Sequence, residues 1–194
     1  DLFDTVKSPT QVQAREILDI SEFTRVLLYF GLIRPYKEVP TLIETFSKLG
    51  FDNACLLVAG NPMQDGLEKR VRDLGDSDPN VRLDLRYLPD SEIPTVFAAA
   101  DFAVLPYRKV FNSGAAVLAM SQSTPVVAPD IGSLTAVLPS GNILYHQLEC
   151  GLRRAIQTNQ IEIISVGQAN REAIETEHDW EKITKQIIEL YEGN

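Results

Sequence analysis

Cysteine, histidine and tryptophan are scarce in this chain: two, two and one among 194 residues. Cys55 and Cys150 can build neither a disulfide framework nor a thiolate metal cluster. Cys55 lies in an apolar run and reads as a small buried hydrophobe. His146 and His178 stand too far from other ligands to suggest a zinc site. No apolar run approaches bilayer-spanning length. No secretory leader opens the chain, so a reducing, cytoplasmic setting is expected. Cations are short too: 18 Lys and Arg face 27 Asp and Glu, for a net charge of -9 and a sequence pI of about 4.7. That balance argues against nucleic acid, whose phosphates need clustered cations, and against an anionic membrane surface for this segment. Neither G-x-G-x-x-G nor G-x-x-x-x-G-K-[ST] occurs, which disfavours the usual nicotinamide enzymes and P-loop NTPases. No paired carboxylates, Ser-His-Asp set or Cys-His set stands out.

What is present is a globular composition, 44% hydrophobic and 23% charged, in a chain long enough for one sizeable core. Short apolar runs at 25–30, 54–59, 81–86, 102–105, 125–128 and 142–145 alternate with helical patterns at 38–49, 64–74, 91–100, 114–122 and 134–138. This alternation predicts an α/β fold: a Rossmann-like, doubly wound parallel sheet of about six strands, buried on both faces. After Gln147 the pattern turns helical throughout, with amphipathic stretches through 148–156, 161–175 and 180–191. Trp180 reads as a packing anchor there. The chain therefore reads as a single domain over 1–194, with a connector over 1–20, an α/β core over 21–146 and C-terminal helices over 147–194. A chain that opens on a connector reads as a piece of something larger.

In an open parallel sheet, ligands sit beyond the carboxyl ends of the strands. Two loops at that edge carry anion chemistry. In Gly31-Leu32-Ile33-Arg34-Pro35-Tyr36-Lys37, the glycine lets the chain turn and leaves room for a ligand. Arg34 and Lys37 add charge beside the N–H groups of the next helix, an arrangement that suits phosphate. In Tyr107-Arg108-Lys109-Val110-Phe111-Asn112-Ser113-Gly114-Ala115-Ala116, two cations precede a helix start that Asn112 or Ser113 can cap. Gly114 and Ala115 are small enough for a diphosphate to approach their N–H groups. Ordinary strand-to-helix loops with solvated cations fit the same residues. Gly132 suits a positive φ after the run at 125–128. Asp130 reads as a turn cap or as an acceptor for a ligand hydroxyl. Asp101 reads as a structural cap, and His146 as a surface histidine or a general base.

The ordered set Tyr29 to Lys37, Leu57-Val58-Ala59-Gly60, Ala99 to Tyr107, Ser113-Gly114-Ala115, Pro125 to Pro129 and Gly132 resembles the C-terminal, donor-binding half of group 1 (family 4) retaining glycosyltransferases of the GT-B fold. The likeness covers nearly the whole chain. It implies a site for a nucleoside-diphosphate sugar, UDP- or GDP-linked, whose hexosyl group goes to a glycan or lipid-linked acceptor. It implies that Arg34 and Lys37 neutralise the diphosphate and that Gly31 gives it room. Asn112, Ser113, Gly114 and Ala115 would meet the phosphates, and Tyr87 and Leu88 would flank the base. No metal or other cofactor is expected, because cations and a helix N-terminus stabilise the leaving group. The acceptor would be bound by an N-terminal domain that these residues lack, so the isolated chain is not expected to transfer sugar. The full-length protein would be cytoplasmic, peripheral at the inner membrane face.

One departure from the family is plain. Two glutamates usually stand eight positions apart around the second loop, one on the transferred sugar and one on the ribose. Val110 and Leu118 occupy those places here, and Thr135-Ala136 replaces a further glutamate beyond Gly132. Either backbone groups with Asn112 and Ser113 take over, or this is a degenerate, non-catalytic half acting as an interaction module. A receiver-like domain is disfavoured because Tyr87-Leu88-Pro89-Asp90 supplies no acidic cluster.

Overall fold

A computed structural model describes residues 8–110 and 113–177 of the chain. Six parallel strands form one sheet: β1 (Arg25–Phe30), β2 (Ala54–Ala59), β3 (Val81–Asp84), β4 (Phe102–Val104), β5 (Val126–Pro129) and β6 (Ile143–Tyr145). Their order across the sheet is β3-β2-β1-β4-β5-β6. The chain thus winds outward in one direction from β1 and then returns to wind outward in the other. The winding reverses between β1 and β4, where Leu27 pairs with Phe102 and Leu28 with Ala103. At that reversal the connections part to opposite faces and leave a crevice at the carboxyl edge.

The strands read as unbroken apolar runs because both sheet faces are covered. All six residues of β2 are buried, as are Val26 to Tyr29 in β1. Cys55 lies inside this layer, where burial pushes its thiol up to about 12. Helices α1 (Gln11–Ile17), α2 (Val39–Leu49), α3 (Asp65–Gly75), α4 (Ile93–Ala99), α5 (Gly114–Ser121), α6 (Leu134–Val137), α7 (Leu148–Gln157) and α8 (Gln160–Glu177) complete the layers. In α2 the buried residues Val39, Leu42, Ile43 and Phe46 repeat at helical spacing, and Gly50 ends the helix in the left-handed region at φ 61°.

Several boundaries differ from the sequence expectation by a residue or two. β3 was expected to reach Arg86 but stops at Asp84, because its partner β2 ends at Ala59. Arg86 instead turns outward to bond Asp84 and Glu92. The amphipathic stretch expected over 180–191, with Trp180, lies outside the described residues, as does His178.

Helix α1 sits on α4 and belongs to the packed layer: Ala14 and Ile20 are fully buried. Its Arg15 bonds Asp101 at 2.8 Å and also donates to the Ala99 and Phe23 carbonyls. Asp101 is 1% exposed and accepts the Val26 N–H at 2.7 Å, while Arg25 lies 3.4 Å away. The carboxylate therefore caps β1 and fixes α1, the structural role its position suggested. It stands at the amino edge, opposite the crevice. At the other flank, the Asn170 side chain of α8 exchanges hydrogen bonds with Asn142 and donates to the Thr124 carbonyl. These buried amides satisfy one another and dock α8 on the sheet.

Candidate functional site

The β1–α2 connection leaves the sheet at Gly31, whose φ of 118° favours glycine. Gly60, just past β2, must stay slim for it: a Cβ there would lie 2.0 Å from the Gly31 oxygen. Residues Pro35–Lys37 make one 3-10 turn, and Glu38 follows in the left-handed region at φ 48°. This turn swings Lys37 back over the end of β1. Its Nζ would touch a Cβ on Gly31 at 3.5 Å and sits 5.4 Å from the Tyr107 ring centroid.

Tyr107, just past β4, is 5% exposed. Its ring meets the Tyr36 ring edge-on at 6.4 Å, and the Arg108 N–H donates to the Tyr36 carbonyl. Arg108 itself points away from the crevice, toward Glu38 at 3.4 Å. The two anion-type loops are thus bolted together by rings, one main-chain bond and one ion pair. Burial pushes the Tyr107 hydroxyl up to about 12; the adjacent Ser113 hydroxyl pulls the other way. Ser113 also caps α5, accepting the Ala116 N–H. Gly114 opens α5 onto empty space, with nothing within 4 Å of where a Cβ would stand.

These groups line one cleft of about 620 Å³. Gly31, Lys37, Lys109, Ser113, Gly114 and Ala115 supply its polar and small surfaces; Phe30, Val110 and Leu118 supply an apolar wall. Among the described residues that line it there is no carboxylate, on a chain of net charge -9. Burial lowers the pKa of Lys37, and the nearby Arg34 guanidinium lowers it further. A half-buried ammonium crowded by a second cation and facing no carboxylate is a site that an anion would relieve.

A smaller hollow of about 220 Å³ shares Phe30 and Gly31 with the cleft and continues it along β2 and β3. Leu88 is buried in its floor and Tyr87 stands 73% exposed at its rim. The structure therefore brings Gly31, Lys37, Ser113, Gly114 and Ala115 together, with Tyr87 and Leu88 in the adjoining hollow. Arg34 is exposed and does not line the cleft; it acts on Lys37 through its charge. Asn112 lies outside the described residues. Sequence reasoning quoted Tyr107 without giving it a role, although an aromatic directly after the strand-ending Pro106 is a signal for a ring at the ligand edge. Gly132 has the expected positive φ, 58°, and packs under Val110. Asp130 accepts the Thr135 hydroxyl, the turn role, and lies 3.8 Å from an exposed His146.

The chain is similar to known proteins across most of its length. A family model described as glycosyl transferases group 1 matches residues 24–158. A GDP-mannose:glycolipid 4-beta-D-mannosyltransferase from Xanthomonas campestris pv. campestris is 32% identical over 129 residues, covering 66% of this chain and 34% of that protein. The chain thus spans about a third of the length of this curated relative. Among solved structures, Anabaena HepE in complex with UDP and glucose superposes with a TM-score of 0.76 at 19% identity, over 97% of this chain and 53% of that one. The C-terminal domain of a group 1 glycosyl transferase family protein from Francisella tularensis gives 0.72 at 18% identity, over 90% of this chain and 96% of that one. With the parallel sheet and its carboxyl-edge cleft, the match over residues 24–158 establishes that this chain belongs to the group 1 glycosyltransferases.

Proposed function

We propose that this chain is the donor half of a glycosyltransferase. It holds a UDP- or GDP-linked sugar whose hexosyl group passes to a glycan or lipid-linked acceptor. The observation that carries the reading is the carboxylate-free cleft in which half-buried Lys37 faces the open first turn of α5. Lys37, backed by Arg34, and the N–H groups of Gly114 and Ala115 take the charge that grows on the diphosphate as the sugar bond breaks. Gly31 leaves that charge room. Leu88 and Tyr87 offer the base an apolar floor and an exposed ring. No metal is required in this scheme. The Xanthomonas relative is named for a GDP-linked donor and a glycolipid acceptor, which favours GDP and a lipid-linked acceptor here. Such an acceptor would be met peripherally at the inner membrane face; among the described residues no helix is long and apolar enough to cross a membrane.

Transfer itself belongs to the full-length protein, with the acceptor held outside these residues. The family resemblance implies retention at the anomeric carbon. The name of the Xanthomonas relative specifies a β-linkage, so the anomeric configuration of the product, read by NMR on the full-length enzyme, tests retention.

Calorimetric titration of this chain with UDP, GDP, ADP and uridine tests the donor site. One diphosphate should bind, and Lys37→Ala should weaken it by about 1–3 kcal/mol, the scale of a lost charge-assisted hydrogen bond. Val110 and Leu118 in the cleft wall favour a second reading, a degenerate half that serves as an interaction module. Under that reading no nucleotide binds and Lys37→Ala changes nothing.

A further inference from the structure

We infer that Tyr107 is the positioning residue of the cleft: its ring sets the Lys37 ammonium over the end of β1. The inference rests on the donor reading for its ligand and on geometry for everything else. The Lys37 ammonium and the first turn of α5 must meet one anion, yet they come from separate loops, and no carboxylate among the described cleft-lining residues fixes the ammonium. Tyr107 lies between them. Its ring carries Lys37 Nζ 5.4 Å from the centroid, within the distance at which a cation is held by the ring quadrupole. The same ring is braced edge-on by Tyr36. The backbone beside it is pinned as well, by the Arg108 N–H donating to the Tyr36 carbonyl.

A lysine is ordinarily steered by an acidic partner. Here an acid would compete with the diphosphate for the ammonium. A ring holds the cation in place and leaves all three of its N–H donors for the ligand. Tyr107 can do this reliably because it is 5% exposed and follows Pro106, a fixed point at the end of β4.

The test separates ring from hydroxyl on the chain as it stands. Titrations with GDP and UDP are run on wild type, Lys37→Ala, Tyr107→Leu, Tyr107→Phe and the variants that pair each Tyr107 change with Lys37→Ala. NMR of the lysine ε-methylenes reads Lys37 without any ligand. Tyr107→Leu should weaken the diphosphate about tenfold and add nothing in the Lys37→Ala background. It should also abolish the upfield ring-current shift of the Lys37 ε-signal. Tyr107→Phe should keep that shift and the Lys37-dependent part of the affinity. Wild-type affinity in Tyr107→Leu, losses that simply add, or an unmoved Lys37 signal would each overturn the inference. Should Tyr107→Leu not fold, Tyr107→Phe and the wild-type Lys37 ε-signal decide: a Phe variant that loses the Lys37-dependent affinity, or a wild-type signal with no upfield shift, overturns it. A wild type that binds neither diphosphate sinks the donor reading, and the Lys37 ε-signal still decides whether Tyr107 holds Lys37.

Discussion

Gly60 supports Gly31 by having no side chain: a methyl at Gly60 would stand 2.0 Å from the Gly31 carbonyl oxygen and 2.8 Å from its carbon. These atoms are backbone and cannot step aside. Gly60→Ala must therefore push the β1–α2 connection upward into the cleft. Overpacking of this kind costs about 3 kcal/mol. Urea unfolding should show the midpoint falling with an unchanged slope, and the same variant should lose diphosphate affinity because Gly31 carries the cleft wall. Full stability in Gly60→Ala would contradict the close approach.

Asp101 predicts the opposite pairing of effects. It is buried, accepts the Val26 N–H and anchors Arg15 and Arg25 at the edge of the sheet away from the cleft. Asp101→Ala leaves two arginines and a main-chain donor without their acceptor, at a cost of about 3–5 kcal/mol. Chemical denaturation measures that loss. Titration below the lowered melting temperature should find diphosphate affinity close to wild type.

Lys37 supplies a pH dependence. Burial, with Arg34 second, lowers its folded pKa below that of an unfolded lysine. Between those two values the unfolded chain binds more protons, so stability contributed at this position rises with pH across the window. Below the folded pKa the full cost of the crowded ammonium is present. Lys37→Met should therefore stabilise the ligand-free chain at neutral pH, and the difference between the two proteins should shrink as pH climbs through the window. Diphosphate affinity of the wild type should fall over the same window as the ammonium is lost. Paired melting curves and titrations from pH 7 upward read both. A difference that grows with pH would refute the assignment of Lys37 as a destabilised cation.

Metal removal bears on how the diphosphate charge is met. If Lys37, Arg34 and the α5 N-terminus suffice, excess EDTA should leave GDP or UDP affinity within about twofold of its untreated value. A tenfold loss, restored by magnesium, would show that a phosphate-bound cation does part of the work.

The fold was legible because of how its strands are buried. β2 is apolar from end to end and β1 is so after Arg25, and turn signals at Gly31 and Gly60 close them, so their limits match the sequence expectation residue for residue. β3 was overrun because Arg82, Asp84 and Arg86 alternate with apolar residues as though a strand continued, while pairing is decided by where β2 stops. In the site, Gly31, Lys37, Ser113 and Gly114 were legible from local turn and cap chemistry. Side-chain direction was not. Arg108 and Lys109 look alike in sequence, yet Arg108 pairs with Glu38 and Lys109 faces the cleft. Tyr107 escaped notice because its importance lies in what it touches across two loops, and no local pattern encodes that.

Stability and grip occupy opposite rims of this sheet. The clamp of Arg15, Asp101 and Arg25 closes the amino rim with groups drawn from the first helix, the first strand and the turn that enters β4. The cleft at the carboxyl rim is walled by loops that contribute little to that clamp. Such a division makes the molecule a chassis: its ligand preferences can be rewritten, as Val110 and Leu118 illustrate, without renegotiating how the chain comes to be folded.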